Sequence, residues 1–229
     1  MQYKNLTVIG TSHIAPESLK EIEKKIVSEH PDIVALELDR KRLAALLSKK
    51  RTKTRWRDIK QIGIKGYLFS VIGAWIEQKL GKKTGVSPGS EMLLAFRIAQ
   101  KSGARVALID QDIEITLKRF SQELSWKEKW HFIVDLFEAF IFGKPDISFD
   151  LAKVPTQSVI NRMISKVKKR YPNVYKVLVI ERNRVMAANL ASLLINHPDK
   201  KIIAVIGAGH EKEIINLVKY KLKEEYLYT

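Results

Sequence analysis

The stretch "KIIAVIGAGH", Lys201 to His210, decides how the rest of the chain is read. Its apolar run is rich in β-branched residues and does not alternate, the pattern of a strand buried on both faces. The run stops at a glycine, where the backbone can turn sharply off the strand, and a histidine comes three residues on. Working outward, "LTVIG" (Leu6 to Gly10), "IVALEL" (Ile33 to Leu38) and "RVALID" (Arg105 to Asp110) have the same character, so each is expected to be a parallel strand. Between the first two, Leu19, Ile22, Ile26 and Val27 recur at helical spacing within Glu17 to Glu29, and Pro31 closes the segment. "SEMLLAFRIAQKSG" reads as a second helix, with Ser90 as its N-cap and Gly103 as its stop. The expected fold is α/β: a mostly parallel sheet whose strand C-termini form the site, with an added helical section.

The 229 residues are long enough for a single α/β domain spanning 1–229. A basic and apolar helical insertion is expected at about 49–88, and a helical section at about 111–197, broken at Gly143, Pro145, Pro155 and Pro172. The closing helix should run from Glu211 to Glu225. There are no cysteines, which excludes disulfides, iron–sulfur clusters and thiolate zinc sites and fits a reducing interior. The start "MQYKNLTVIG" has neither the basic region nor the long apolar core of a signal peptide. The longest apolar run, Tyr67 to Ile76, is shorter than the roughly 20 residues of a spanning helix. A cytoplasmic or membrane-associated protein without a transmembrane segment is therefore expected.

Lys and Arg number 41 against 25 Asp and Glu, a net charge of +16 that calls for an acidic partner or surface. Seven of the 41 fall in "KKRTKTRWRDIK", Lys49 to Lys60, directly before the apolar stretch. That juxtaposition suits an anionic membrane surface. A helix packed on a partner subunit, making a homo-oligomer, is a further expectation. Trp56 could stack on nucleic acid, but no helix-turn-helix, RNA-binding or OB signature accompanies it, so nucleic acid is not the expected partner.

The four strands finish alike. The first leads to His13, the second to Glu37 and Asp39, the third to Asp110 and the fourth to His210. In an open parallel sheet those ends share one edge, where ligands bind. "GTSH" and "GAGH" are both G-x-x-H after a strand. Two such histidines with Glu37 beside them would make a mixed nitrogen and oxygen site suited to a divalent Zn, Mn, Co or Fe ion. Each residue also has a structural alternative. A histidine after a strand is ordinarily a turn residue, and Glu37 could be salt-bridged to Arg40 or Arg42. Asp110 and Glu91 are explicable as a loop residue and a first-turn carboxylate. His30, His131 and His197, beside prolines or on helical faces, are read as structural or solvated.

Taken together, "GTSH", "VALELDRKRL", "SPGSEMLLAFRIAQKSGARVALIDQDIEITLKR", "ERNRVMAANL" and "IIAVIGAGH" stand in the order and register of the TraB/PrgY family, related to the TIKI proteins, and the sequence resembles that family along nearly its whole length. The resemblance implies a metal-dependent hydrolase acting on a peptide or protein substrate, since TIKI relatives are described as metalloproteases and PrgY-type members limit a peptide pheromone. Carried over by motif, His13, His210 and Glu37 would hold the metal, with Glu37, Glu91 and Arg182 as catalytic candidates. The alternative is a non-catalytic, membrane-associated protein that sequesters a peptide in the same cleft. The chain departs from the family pattern at Gln111, where D-R becomes Asp110-Gln111, and at Asn183, where E-R-D becomes Glu181-Arg182-Asn183; Glu213 stands where a glycine is usual. The paired change at Gln111 and Asn183 suggests that the missing Arg and Asp had faced each other, or that a catalytic carboxylate is gone. Family members often carry C-terminal membrane helices, so the sequence is expected to match the soluble part of a longer protein or a short member.

Overall fold

A five-stranded sheet has the order β1-β2-β5-β3-β4. Its strands are β1 (Gln2–Tyr3), β2 (Leu6–Thr11), β3 (Ile33–Leu36), β4 (Arg105–Leu108) and β5 (Ile202–Gly207). The four longer strands pair in parallel, and β1 folds back antiparallel on β2. This computed structural model describes residues 1–11, 16–48, 89–131, 134–135 and 157–228. His13, the insertion expected at 49–88 and its basic segment Lys49 to Lys60 lie outside the described residues. Among the described residues no helix is long and apolar enough to cross a membrane.

Both faces of the sheet are covered, which is why its strands read as continuous apolar runs. On one face, α1 (Pro16–Glu29) and α3 (Ser90–Lys101) place Ile22, Ile26, Met92, Ala95 and Ala99 against Ile9, Val34, Leu36, Ile203 and Val205. On the other, α7 (Arg182–Asn196) and α8 (Glu211–Tyr228) place Met186, Leu190, Ile214 and Val218 against Val8, Ala35, Ile202, Ala204 and Ile206. The period-2 alternation of strand side chains divides the core into these two layers.

The second and third of the expected strands are shorter than the sequence suggests, β3 stopping at Leu36 and β4 at Leu108. At β3 the cause is local. Asp39 accepts hydrogen bonds from the Lys41 and Arg42 amides and starts α2 (Arg40–Leu47), drawing the chain off the sheet. Ser90 proves to be the first helical residue of α3, with Gly89 as its cap at φ 80°. A Cβ at Gly89 would come within 2.9 Å of Leu46 on α2, so both the backbone conformation and the close helix approach favour glycine there.

Between β4 and β5 the described residues are mainly helical: α4 (Ile113–Glu123), a helical segment at 126–131, α5 (Gln157–Arg170), α6 (Pro172–Tyr175), a π-helical turn Lys176–Glu181, and α7. Glu128 ties this region together. Its buried carboxylate accepts from the Ser125 amide and hydroxyl at 3.0 and 2.8 Å, and from the Asn173 amide and side chain at 2.7 and 2.9 Å. It thus caps its own segment and the start of α6 at once. Burial works to raise the Glu128 pKa, but the bonds from Ser125 and Asn173 outweigh it and hold the carboxyl below the ordinary glutamate range. A carboxyl depressed on folding stabilises above its unfolded pKa of about 4.3, and loses that contribution as pH falls through the folded value. Glu128→Gln should therefore be less stable than the parent at neutral pH, with the gap closing below about pH 4; urea melts taken across pH check this, and a gap independent of pH would contradict it.

Candidate functional site

The order of the strands fixes where a site can form. The chain moves outward from β2 to β3 to β4 with helices α1 and α3 on one face, then returns to insert β5 between β2 and β3, with α7 and α8 on the other. The connections after β2 and β5 leave toward opposite faces, opening a crevice at the carboxyl end of the sheet. Gly10 pairs with Ile206 and Thr11 with Gly207, so the two G-x-x-H segments depart from neighbouring strands, one residue out of register. The turn after β5 crowds Gly10. A Cβ there would lie 2.5 Å from Glu211 Oε2 and 3.2 Å from the Ala208 backbone, so glycine lets that turn lie over the end of β2.

Glu37 comes one residue after β3 and continues its alternation. Ala35 faces the α7 layer, so Glu37 does too. The Glu37 amide still donates to Val205 O at 3.1 Å. In a parallel ladder the next rung would join the Gly207 amide to the Glu37 carbonyl; instead that amide donates to Glu37 Oε2 at 2.6 Å. The side chain takes the rung, and the strand ends. Oε1 accepts from Arg182 Nη2 at 2.5 Å. Only 2% of Glu37 is exposed, and a carboxylate so placed is tolerable because it is both paired and hydrogen-bonded.

Arg182 also grips Asp110, from Nε to Oδ1 at 3.0 Å and from Nη2 to Oδ2 at 2.7 Å, and donates from Nη1 to Leu178 O at 3.2 Å. Asp110 accepts in addition from Arg42 Nη1 at 2.6 Å and from the Gln111 amide at 2.8 Å. Two carboxylates and two guanidiniums make a neutral network. Burial opposes the charge on Arg182, but Glu37 and Asp110 more than offset it and hold its pKa above the usual arginine value. Its place is set from behind: the π-helical turn ends at Glu181, which Arg119 clamps through two bonds of 3.1 and 2.7 Å. Proximity in sequence points to the wrong cation for Glu37. Its partner is Arg182, not Arg40 or Arg42, and Arg42 serves Asp110 instead.

His210 completes the group. Its Nδ1 lies 2.6 Å from Asn183 Oδ1. An amide oxygen only accepts, so Nδ1 carries the hydrogen and Nε2 is the acceptor nitrogen of the neutral ring. Nε2 faces Glu37 Oε1 at 3.7 Å, beyond hydrogen-bond range. Two ligands bound at about 2.1 Å to one tetrahedral ion stand roughly 3.4 Å apart, so this pair is near the spacing a single metal would draw together. A ring nitrogen held by an outer acceptor while the other faces the site is the usual support for a ligating histidine. Among the described residues no group of three His, Cys, Asp or Glu is arranged to hold a metal, and the expected third ligand, His13, lies outside them.

The structure therefore brings Glu37, Arg182 and His210 together. Glu91 is buried in the first turn of α3, in the helix layer on the other face of the sheet from α7. Gln111 and Asn183, the two positions that depart from the family pattern, have separate partners. Gln111 donates to Thr116 Oγ1 at 3.0 Å, whereas Asn183 meets His210. His131 approaches the Arg170 carbonyl at 3.4 Å, and His197 caps the end of α7 with Arg105 beside its ring at 3.3 Å. Asn183 and Asp110 are the site residues that sequence reasoning undervalues. Asp110 has a signal, its place at a strand end, whereas nothing local marks Asn183 as a partner of a histidine 27 residues on.

A cavity of about 210 Å³ adjoins the site, lined by Asn183, Tyr175, Val179 and Ile164 and by the turn Ala208–Gly209. A larger groove of about 520 Å³, lined by Ala188, Ala191, Ile195 and Lys221, lies farther along α7 and α8. The span of α7 from Arg182 to Ile195 is roughly 20 Å, so the smaller cavity is the one that bears on the chemistry.

The family model for TraB/PrgY/gumN matches residues 2–228. An uncharacterized protein of Methanocaldococcus jannaschii, MJ1365, is 34% identical over 220 residues, covering 94% of this chain and 53% of that protein. TraB domain-containing proteins of Mus musculus and Homo sapiens are 26% and 25% identical over 188 residues, covering 77% of this chain and 49% of theirs. The chain spans about half the length of these curated relatives.

Replacing Arg182 by Met would strand two buried carboxylates with only Arg42 between them. The loss should be about 3–5 kcal/mol of folding stability. Arg182→Lys should recover part of it, since a point charge cannot grip both carboxylates as the planar fork does. Urea unfolding measures both variants; a loss under about 1 kcal/mol for Arg182→Met would show the network to be solvated rather than buried.

Proposed function

The chain belongs to the TraB/PrgY/gumN family, and from that premise we propose that it is a metal-dependent peptide hydrolase centred on the ends of β3 and β5. His210 and Glu37 would hold a divalent Mn, Co, Zn or Fe ion, with His13 as the further ligand, and the ion would lower the pKa of a bound water so that it attacks at neutral pH. The observation that carries this reading is the imidazole of His210, fixed through Nδ1 by Asn183 with Nε2 facing a buried carboxylate at 3.7 Å.

The chain's own residues have separate tasks. Asn183 fixes the ring of His210 in one tautomer. Arg182, with Arg42, balances the charges of Glu37 and Asp110 and holds both carboxylates in place. The Gly207 amide holds the second carboxylate oxygen, so the carboxyl group cannot rotate away from the histidine. Glu91 is the proposed general base, a role that requires reach to the attacking water. The cavity beside Asn183 offers room for a short stretch of peptide.

One observation favours the second reading, a peptide-sequestering protein without turnover. Both oxygens of Glu37 already accept strong N–H bonds, so ligating a metal means sharing or displacing Arg182. Association with an anionic membrane is a separate proposal that rests on the charge of Lys49 to Lys60.

Metal analysis of protein purified without chelator or affinity histidines, followed by peptide turnover with and without the bound ion, separates the readings. A site occupied only in the folded state adds about 2.7 kcal/mol at a hundredfold excess of metal over Kd. Chelator should lower the melting temperature of the parent and leave His210→Ala and His13→Ala unmoved, while His30→Ala behaves as the parent does. Protein that binds none of the four metals, or that binds peptide without cleaving it, would leave the sequestering reading in its place.

A further inference from the structure

We infer that Asn183 is a recognition residue, its Nδ2 donating to a carbonyl oxygen of a peptide lodged in the cavity beside His210. The inference rests on the peptide reading of this site and adds the group that recognises the main chain. Asn183 is 1% exposed and lies in the first turn of α7. Its two side-chain atoms are used unequally: Oδ1 meets His210 Nδ1 at 2.6 Å, whereas Nδ2, equally buried, finds no acceptor among the described residues. A buried donor left unmade is costly, and folded proteins rarely keep one unless a ligand or water completes it. Asn183 also lines the 210 Å³ cavity, which gives that ligand a place.

The walls restrict what the ligand can be. Nδ2 can only donate, so the atom it meets is an acceptor and not a cation. Lys212 and Glu213 give the wall one charge of each sign, so its formal charge is balanced and a neutral acceptor such as a carbonyl oxygen suits it. The remaining lining supplies the polar Asn161, Asn216 and Tyr175 hydroxyl beside the apolar Ile164 and Val179. Burial, helped by Glu213, pushes the Tyr175 hydroxyl up, so it stays protonated at neutral pH. Donors and acceptors interleaved with apolar surface match a peptide main chain with small side chains. The oxygen that fixes the histidine and the nitrogen that holds the carbonyl then belong to one rigid amide, which sets the bound peptide against the imidazole.

The test uses the whole chain, labelled with ¹⁵N, and N-acetyl-trialanine amide as probe. The Asn183 side-chain NH₂ resonances are identified by their loss in Asn183→Asp, a variant that keeps an oxygen for His210 and deletes the donor. The probe should shift these resonances saturably. In Asn183→Asp the probe should bind about tenfold more weakly, the effect of one lost hydrogen bond, while the ring ¹⁵N spectrum still shows hydrogen on Nδ1 of His210. Asn183→Ala should weaken binding and also release the tautomer. Asn183 resonances that stay still at saturating probe, no saturable binding, or equal affinity in Asn183→Asp would each overturn the inference. If Asn183→Asp does not fold, the shift in the parent decides alone, with the resonances assigned through the backbone. Turnover is read separately. Probe binding through Asn183 without metal-dependent cleavage sinks the hydrolase reading and leaves this one standing, and cleavage whose KM is the same in Asn183→Asp does the reverse.

Discussion

Glu37 is a carboxylate at the end of a buried strand, and its cation comes from a residue 145 positions later in the chain. That one requirement orders much of its surroundings. Arg182 must arrive at a fixed height above the sheet, so α7 begins there, directly after a π-helical turn whose last residue, Glu181, is anchored to α4 by Arg119. Insertion of a π turn shifts the helical phase, and such turns recur where a side chain has to be aimed rather than merely buried. The same guanidinium binds Asp110, which joins the end of β4 to the end of β3. Electrostatics thus closes an edge of the sheet that apolar packing leaves open.

The fold is largely legible in the sequence because its signals are strong and local. Unalternating runs such as "IIAVIG" can be satisfied only between two helix layers, and Ile202 to Ile206 do divide between the two cores by parity. The short antiparallel β1 and the helix Arg40–Leu47 carry no such pattern and emerge only in the structure. The site is legible in its residue types and not in its pairings. Glu37 looks anomalous within "VALELD" for a sound reason, the cost of a buried charge, but Arg40 and Arg42 pass for its natural partners because they are near in sequence. The capping of α2 by Asp39 turns that helix so that Arg42 reaches Asp110, leaving Glu37 to a distant residue. Asn183 shows the same limit more sharply. Its amide bridges a histidine and a cavity, and neither neighbour is visible from "ERNRV".

A neutral, fully bonded ion network beside a histidine is also a particular kind of environment. Charges that are already paired respond little to a group that enters next to them, so the field at the crevice is set before any ligand arrives. The cavity wall is a different mixture, amides, a tyrosine hydroxyl, Lys212, Glu213 and apolar side chains.

The position of β5 has a temporal meaning as well. The strand at the middle of the sheet is the last in the sequence, so β2 and β3 are synthesised with a gap between them that residues 202–207 must fill. Until they do, neither neighbour has its partner, Glu37 lacks the Gly207 amide, and the two core layers have no shared wall. Pairings this far apart in sequence are slow to form, because the loop entropy is lost before any contact rewards it. Residues 1–201 would wait as two separate strand pairs whose facing edges are open, the condition in which strands from different molecules add to one another. The strand order alone thus leaves the edges of β2 and β3 open until the last of the strands is made.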